Sequence, residues 1–524
     1  MEKLNINEIK YELLNREKDS KFSSLKDMPR PDEFKDIQKA TKRVLQALQN
    51  DETINIVGDY DADGVTSTAI MVEFFNKAIG IEVNYIIPNR FEHGYGISEK
   101  IMDLIYDGII ITVDNGISAC KAADICKQRG IDLIITDHHT CGDILPDAYA
   151  IINPKQEDCH FPFPEICGAN VAWYLCANIK KELNLKYNLM ELFDLLTIAI
   201  VADIMPMISL NRTIVIRGLK QLAISSRPAI VALRERFGFN NITEEDIGFK
   251  IAPLINCAGR MEDASIALEF LLSYDIYEAQ ENLDYLIELN DRRKKEQLDI
   301  FEDAKTKVDI NDDVIVVAST DWNEGIIGIV ASKLCDKYKK PSFVFTINNN
   351  EAKASARSVE NINLYDLITK VEDLTIGYGG HKGAAGLLIE TTKLIDFTNK
   401  INQEFLTLPK ESRVINNDTL CTLDLSNVNE ELFNLINSFR PYGLENSLPI
   451  FEFNDLNIIN LTLMGKNKEY KKLIVSDGIS NVEVVIFNDI ENIYIGDKIN
   501  FLATISRNEF RGEVTYNLML KEIL

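Results

Sequence analysis

Residues 58–67, GDYDADGVTS, set three aspartates at alternate positions, Asp59, Asp61 and Asp63, directly after the apolar run Ile54 to Val57. Like charges at this spacing repel one another unless a cation sits among them. Two further polar groups occupy the same kind of position. Asp114, in TVDNG, follows the apolar run Ile109 to Val113, and Asp137, His138 and His139, in ITDHHT, follow Leu133 to Thr136. Asp203 closes the apolar stretch LFDLLTIAIVAD. Four or more carboxylates with one or two histidines make a hard, oxygen-rich ligand set that suits Mn²⁺ or Mg²⁺ better than zinc. Two such ions about 3.5–4 Å apart clamp a phosphate, generate a hydroxide and stabilise the leaving oxygen of an in-line displacement. The chemistry implied is hydrolysis of a phosphoester or phosphoanhydride. A single Asp-x-Asp after a strand is ordinarily a solvated turn or helix cap; three such sites in register with strand ends argue against that reading.

The elements that must position these groups are legible as alternation. Strand candidates at Ile54 to Val57, Val83 to Ile87, Ile109 to Val113, Leu133 to Thr136 and Tyr149 to Ile152 are separated by helix-like stretches around 66–79, 98–107 and 117–129. This spacing predicts an α/β fold with an open, doubly wound parallel sheet. Such sheets bind ligands outside the carboxyl ends of their strands, so the three acidic loops are expected to converge on one crevice. Residues 1–50 are polar and helix-like with a Pro-Arg-Pro break at 29–31, and read as an N-terminal extension. The acidic domain is expected over 51–275. A charged stretch over 276–308, with Leu283, Leu286, Leu289, Leu298 and Ile300 near helical spacing, reads as one connecting helix. A second, smaller α/β domain is expected over 309–410, with strands at Val314 to Ala318 and Ser342 to Thr346. From 415 to 524 short strands, among them Lys472 to Val475, Val482 to Phe487, Lys498 to Ile505 and Glu513 to Leu520, predict a small β-barrel.

At 524 residues the chain exceeds what one hydrophobic core organises. With 46% hydrophobic and 26% charged residues it has the composition of a soluble globular protein. No apolar stretch of about 18 residues and no signal-peptide pattern is visible, so a cytoplasmic protein is expected. The nine cysteines include no CxxC pair, and Cys176 and Cys257 sit among apolar neighbours, as reduced structural thiols do. A net charge of −25 opposes general attraction to nucleic acid. Carboxylates that bind cations, and the cluster Arg292-Arg293-Lys294-Lys295, are the local features that can outweigh it.

GDYDADG, VDNG and TDHHT resemble successive motifs of the DHH phosphoesterase superfamily. From residue 50 onward the chain resembles that superfamily's bacterial single-strand-specific exonucleases, the RecJ family. PNRFEHGYG at 88–96 and NCAGRMEDA at 256–264 are similar to segments of that family. WNEGIIGIVASKL at 322–334, KASARS at 353–358 and GYGGHKGAAG at 377–386 resemble its DHH-associated domain. The terminal GDKINFLATISRNEFRGEVTYNLML resembles its oligonucleotide-binding (OB) barrel. The resemblance implies a parallel-sheet DHH domain, a connecting helix, a smaller DHH-associated α/β domain and an OB-type barrel. It implies Asp61, Asp63, Asp114, His138 and Asp203 as ligands of two Mn²⁺ or Mg²⁺ ions, with Asp114 bridging and Asp59 as an outer member. It further implies that His139 contacts the scissile phosphate or protonates the leaving oxygen, and that Asp137 orients a histidine. A pocket for a 5′-terminal phosphate would use Arg90, Arg260, Ser355, Arg357, Gly380 and His381; guanidinium forks and glycine loops suit that anion.

The implied activity is a metal-dependent 5′-to-3′ exonuclease on single-stranded DNA that releases 5′-mononucleotides in DNA repair and recombination. Single-strand-binding protein and a RecQ-type helicase are the implied partners, and a monomer the implied state. The alternatives are a DHH phosphodiesterase for short oligonucleotides or cyclic dinucleotides, a pyrophosphatase, or an inactive scaffold. The first two lack a connecting helix together with a barrel; the third lacks metal ligands. Four positions depart from the family's pattern: Leu254 replaces an arginine, Asn323 a histidine, Glu445 a glycine and Ser447 a proline. The barrel has no dense basic run, so its DNA contacts would rest on aromatics such as Tyr470, Phe487 and Phe510.

Overall fold

The computed structural model describes residues 2–16, 21–359, 361–409, 419–465, 470–487 and 493–524; the Phe510 side chain and the 410–415 boundary lie outside the described residues. Five strands form the first sheet: β1 Ile54–Val57, β2 Asn84–Ile86, β3 Ile109–Val113, β4 Asp132–Thr136 and β5 Ala150–Ile152. Their order is β2-β1-β3-β4-β5, and every pairing is parallel. β1 and β3 are buried on both faces, which is why their sequences run apolar without alternation. Strand order reverses between β1 and β3, and the crevice of such a sheet opens at that point.

The helix after β1 begins at Ala62, earlier than the expected 66, because Asp61 caps it: its side chain accepts from the N–H groups of Asp63 and Gly64. The helix runs to Glu73 and passes into a π-helical turn over Phe74–Ile79. The stretch expected as helix over 98–107 is helical only at Glu99–Met102.

Residues 168–272 add helices around the same core, among them Gly168–Glu182, Phe193–Ala202, Ala252–Met261 and Ser265–Leu272. The connecting helix spans Ile276–Lys307, 32 residues, or about 48 Å. Leu283, Leu286 and Leu289 pack into the first core, whereas Ile300 and Ala304 belong to the second domain's cluster, so one rigid rod fixes the two domains.

The second sheet has β6 Ile315–Ser319, β7 Ser342–Asn348, β8 Glu351–Arg357, β9 Thr375–Gly380 and β10 Ala384–Glu390, in the order β6-β7-β8-β10-β9. Helix Ile327–Tyr338 covers one face of β6, β7 and β8, and helix Leu394–Leu406 covers the other face through Phe397, Ile401 and Phe405.

The last sheet holds β11 Thr419–Thr422, β12 Ile450–Met464, β13 Tyr470–Ser476, β14 Asn481–Ile486, β15 Lys498–Phe510 and β16 Glu513–Ile523. Pairing of β12 with β15 closes β12-β13-β14-β16-β15 into a five-stranded barrel, which removes those strands' free edges. The N-terminal residues join two cores: Ile9 and Leu13 of helix Ile6–Asn15 are buried in the barrel cluster, and Ile37, Ala40 and Val44 of helix Ile37–Gln49 in the first domain. No helix of the described residues is long and apolar enough to cross a membrane, and all nine cysteines are free.

Three of the four departures from the family's pattern have local explanations; the exchange at Ser447 has none. Leu254 is 3% exposed and part of the first core, so it packs inward. Asn323 Oδ1 accepts from Gly325 N at 2.9 Å and its carbonyl from Ile326 N and Ile327 N, which starts helix Ile327–Tyr338. Glu445 sits at φ 61° in a tight turn closed by the backbone pair Gly443 and Asn446. That turn position favours glycine. Glu445→Gly is therefore expected to stabilise the protein by about 1 kcal/mol, read as a higher urea midpoint with an unchanged slope. A lower midpoint would mean that the Glu445 side chain contributes more than its backbone costs.

Candidate metal centre

Three loops at the carboxyl edge of the first sheet bring the acidic residues together. His138 Nε2 lies 3.2 Å from Asp114 Oδ1, 3.6 Å from Asp203 Oδ2 and 3.8 Å from Asp63 Oδ2. Three sets offer ligand atoms all within 4.8 Å of one another: Asp63, His138 and Asp203; Asp114, His138 and His139; and Asp59, Asp61 and Asp114. Asp114 belongs to two of these sets. Asp59, expected as an outer member, stands beside Asp61 and Asp114.

The cluster suits a cation, and among the described residues no lysine or arginine pairs with it. Asp59 Oδ1, Asp114 Oδ1 and Asp203 Oδ2 are buried without a hydrogen-bond donor, an arrangement that costs stability unless an ion completes it. Burial first, and then the Asp61 charge, push the Asp63 carboxyl up to about 6. Burial and neighbouring carboxylates raise Asp59, Asp114 and Asp203 well above the ordinary range. Burial, followed by the adjacent His139, lowers His138 to about 3, so its imidazole is neutral and has a lone pair to offer.

His139 differs from its neighbour. Its Nδ1 is 2.7 Å from Asp137 Oδ1, and Asp137 also accepts from the N–H groups of Ile117, His138 and His139. Burial alone would lower His139, but the Asp137 hydrogen bond and charge raise it to about 9. It is a partly exposed imidazolium at the rim of a buried cluster.

Facing this rim is an arginine group. Arg90 Cζ stacks 4.2 Å from the Tyr60 ring centroid. Arg260 Nη1 donates to Gly325 O at 3.2 Å, and Arg357 Nη1 donates to Ala356 O at 2.8 Å and to Ser355 Oγ at 3.4 Å. Burial, then the charges of Arg90 and Arg357, lower Arg260 to about 10, which places the three guanidinium groups in one neighbourhood. Among the described residues none of them forms an ion pair with a carboxylate. Gly380 ends β9 at φ 150°, where a Cβ would meet Ala384 O at 2.5 Å. His381 follows it, lowered by burial and then by the charge of His139. Of the Arg292 to Lys295 group, Arg292 pairs with Glu262 at 2.8 Å and Lys294 with Asp291 at 3.0 Å, whereas Arg293 lines a cavity together with Arg260 and Asn256.

Residues 53–200 match the DHH family, N-terminal domain, residues 311–407 the DHHA1 domain and residues 421–522 the RecJ OB domain. The single-stranded-DNA-specific exonuclease RecJ of Haemophilus influenzae is 32% identical over 534 residues, an overlap that covers 95% of this chain and 92% of that protein. The chain belongs to the RecJ family. The RecJ of Bacillus subtilis is 34% identical and is matched over 94% of this chain, which spans 64% of that relative's length. The crystal structure of RecJ from Thermus thermophilus in complex with Mn²⁺ superposes with a TM-score of 0.82 at 26% identity, over 94% of this chain and 72% of that one.

Several residues of this RecJ-family site carry no charge pattern that singles them out in the sequence. Asn115 Nδ2 donates to the Val57 and Val113 carbonyls at 3.0 and 2.9 Å while its Oδ1 accepts from Ile97 N, lacing β1, β3 and the 88–97 loop together. Asn256 Oδ1 accepts from Ala62 N at 2.9 Å and holds the triple-aspartate loop. Gly168 N and Ala169 N donate to the Asp63 carboxylate at 2.6 and 2.9 Å, placing a helix N-terminus behind it. Tyr95 Oη is 3.4 Å from His139 Nε2 and from Asp114 O. Asn115, Asn256 and Tyr95 lie inside the quoted motifs, and that is the only signal the sequence offered for them.

Proposed function

We propose that this chain degrades single-stranded DNA from its 5′ end, releasing 5′-mononucleotides, with two Mn²⁺ or Mg²⁺ ions in the acidic cluster. One observation carries the reading: carboxylates with orphaned oxygens and arginines without carboxylate partners face each other across one groove. The first set calls for a cation and the second for an anion, which a DNA end held beside divalent ions satisfies together. The curated relatives named single-stranded-DNA-specific exonucleases support the substrate, and the relatives' structures with Mn²⁺ and Mg²⁺ support the ions.

Asp61, Asp63, Asp114, His138 and Asp203 would hold the ions, with Asp59 beside them. Bound there, such ions polarise a phosphodiester and lower the pKa of an attacking water. The chain's own residues do the rest. Arg90, Arg260, Arg357, Ser355 and the backbone at Gly380 bind the terminal phosphate, and His381 flanks it. His139, kept cationic and oriented by Asp137, gives its proton to the departing 3′-oxygen. Holding the end at the arginines while cutting at the cluster defines a short product. Phe487, 56% exposed and edge-on to Tyr470 at 5.0 Å, offers an incoming base a stacking face on the barrel. The setting is cytoplasmic DNA repair and recombination, with single-strand-binding protein and a RecQ-type helicase as partners.

Incubation with Mn²⁺ and single-stranded DNA labelled at the 5′ end tests the reading. Labelled mononucleotide is expected from the first time point. A ladder of shortened, 5′-labelled strands would reverse the polarity, and cleavage restricted to very short oligomers would favour a phosphodiesterase for small substrates.

A further inference from the structure

The helix that delivers Asp203 ends in a turn that favours glycine, yet an isoleucine stands there. Met205 N donates to Ile200 O at 3.1 Å and Ile204 N to Val201 O at 3.3 Å, the pair of bonds that closes a helix through a left-handed residue. That residue is Ile204, at φ 54°. A β-branched side chain is strained in this conformation, and strain of this kind gathers at functional sites. Burial does not offset it, because Ile204 is 67% exposed. A second apolar side chain is displayed on the same cavity: Phe249, 83% exposed, on the π-helical turn Ile247–Ile251. Such turns are also frequent at functional sites.

The cavity measures about 480 Å³, within the range of small-molecule sites, roughly 300–1,000 Å³. Part of its lining belongs to the candidate metal centre. Ala202 and Ile204 flank Asp203, Asn256 holds the triple-aspartate loop, and Arg260 is one of the unpaired arginines. Tyr442 and Gly443, in the segment that leads into the barrel, line it as well. The charges favour an anion. Glu244 and Glu245 border the cavity, but Arg440 pairs with both, at 2.7 and 2.8 Å, and Tyr442 N donates to Glu244 at 2.9 Å. Arg293 has no carboxylate partner among the described residues: its guanidinium donates to the neutral amides of Asn290 and Gln297, at 2.7 Å each. An apolar wall beside an uncompensated guanidinium suits one nucleotide of a strand, which has a base to stack and a phosphate to pair.

Which nucleotide sits there follows from the proposed cut. The terminal nucleotide is fixed at both ends, by the arginines and by the cluster. His139 serves the 3′-oxygen that leaves, and Asp203 belongs to a ligand set that does not include His139. The strand that keeps the phosphate therefore departs away from His139, and the cavity opens beside Asp203. We propose, on the basis of the 5′-end reading, that this cavity seats the nucleotide immediately 3′ of the bond to be cut, with its base on Phe249 and Ile204 and its 3′-phosphate at Arg293. A base held in this way cannot stay paired and stacked in a duplex, so the single-strand requirement is enforced one nucleotide beyond the cut. These residues position the strand and leave the hydrolysis itself unchanged.

The test measures single-turnover release of the first nucleotide, in Mn²⁺, from 5′-phosphorylated single strands that are intact or lack the base at the first, second or tenth nucleotide. Wild type, Phe249→Ala and Arg293→Gln are compared. Wild type is expected to cut the strand abasic at the second nucleotide about tenfold or more slower than the intact strand, and the strand abasic at the tenth within about twofold of it. Phe249→Ala is expected to slow the intact strand by a similar factor and to cut the second-position abasic strand within about twofold of the wild-type rate on it, which also shows that the variant folds. Arg293→Gln is expected to weaken binding of every strand and to reduce the salt slope of binding by about 0.7, one phosphate contact on a single strand. Wild type indifferent to the second base would overturn the proposal, as would a Phe249→Ala protein that slows intact and abasic strands in parallel, or one whose loss is cancelled by removing the first base and not the second. An unchanged salt slope in Arg293→Gln would overturn the placing of the phosphate. Failure of wild type on the intact strand would instead remove the exonuclease reading beneath it.

Discussion

Asp114→Asn is expected to lower nuclease turnover about 10³-fold or more while raising the melting temperature of the metal-free protein. The two effects share one cause. Asp114 is buried with Asp59, Asp61, Asp63 and Asp203 around it, and burial together with the charges of Asp63 and Asp61 drives its carboxyl well above the usual range. A carboxyl whose folded pKa is raised binds its proton more firmly in the folded chain, so the metal-free protein loses stability as pH rises from the unfolded value toward neutrality. Removing one charge relieves that repulsion, worth roughly 1–2 kcal/mol at pH 7. Asparagine is the variant to use because Asp114 sits at φ 63°, a conformation that Asn and Asp tolerate better than most residues. Divalent ions reverse the ranking. A site filled at 100 times its Kd stabilises wild type by about 2.7 kcal/mol, and the variant, lacking the carboxylate shared by two of the ligand sets, gains less. Melting curves with chelator and with Mn²⁺ should therefore cross over between the two proteins. Equal stabilisation of both by Mn²⁺ would place the ions elsewhere.

What the sequence disclosed follows from how local each signal is. β1, β3 and β4 were legible to within a residue because both faces of each are buried and the apolar run is continuous. β12 was not. Its 15 residues alternate with polar ones and pass through Asn454-Asp455, with Asp455 at φ 56° and a register shift between Phe453 and Leu456, so a strand bent to close a barrel reads as a turn. The same contrast holds in the site. Asp59, Asp61, Asp63, Asp114, Asp137 and His138 each follow a strand, so their place at one sheet edge could be read from position alone. The groups that aim them come from far along the chain. Gly168 N, 105 positions from Asp63, and Asn256, 194 positions from Ala62, act through contacts that only the folded chain creates. The 88–97 loop belongs with them: Asn89 Nδ2 donates to Asp263 Oδ2 at 3.1 Å, which fastens the segment bearing Arg90 and Tyr95 to the helix region bearing Arg260. Resemblance supplied the names of these segments; their mechanical role came from the hydrogen bonds.

Asp137→Asn is expected to slow turnover by roughly 10²–10⁴-fold, the span of general acid catalysis, without removing a ligand-set residue. Asp137 is buried and accepts four hydrogen bonds, three on Oδ1 and one, from Ile117 N at 2.8 Å, on Oδ2. An amide has one acceptor oxygen, so its NH₂ must face either the Ile117 N–H or the His138 and His139 N–H groups, leaving a buried donor unmatched at a cost of about 1–3 kcal/mol. His139 then loses the hydrogen bond and charge that do most to raise it, and burial is opposed only by the charges of Asp203 and Asp61, so its pKa falls. A smaller share of His139 would then carry the proton that the proposed acid role requires. The sign of the linked stability follows. A histidine raised to about 9 stabilises the fold fully below pH 6.5, and that contribution fades as pH rises through 9. Wild type in chelator should therefore lose urea resistance between pH 7 and 9.5, and both Asp137→Asn and His139→Gln should flatten that slope. His139→Gln preserves the Asp137 backbone bonds and should match Asp137→Asn in lost turnover at a smaller cost in stability. An Asp137→Asn protein with wild-type turnover, or with its His139 resonance still titrating near 9, would mean that another group supplies the proton.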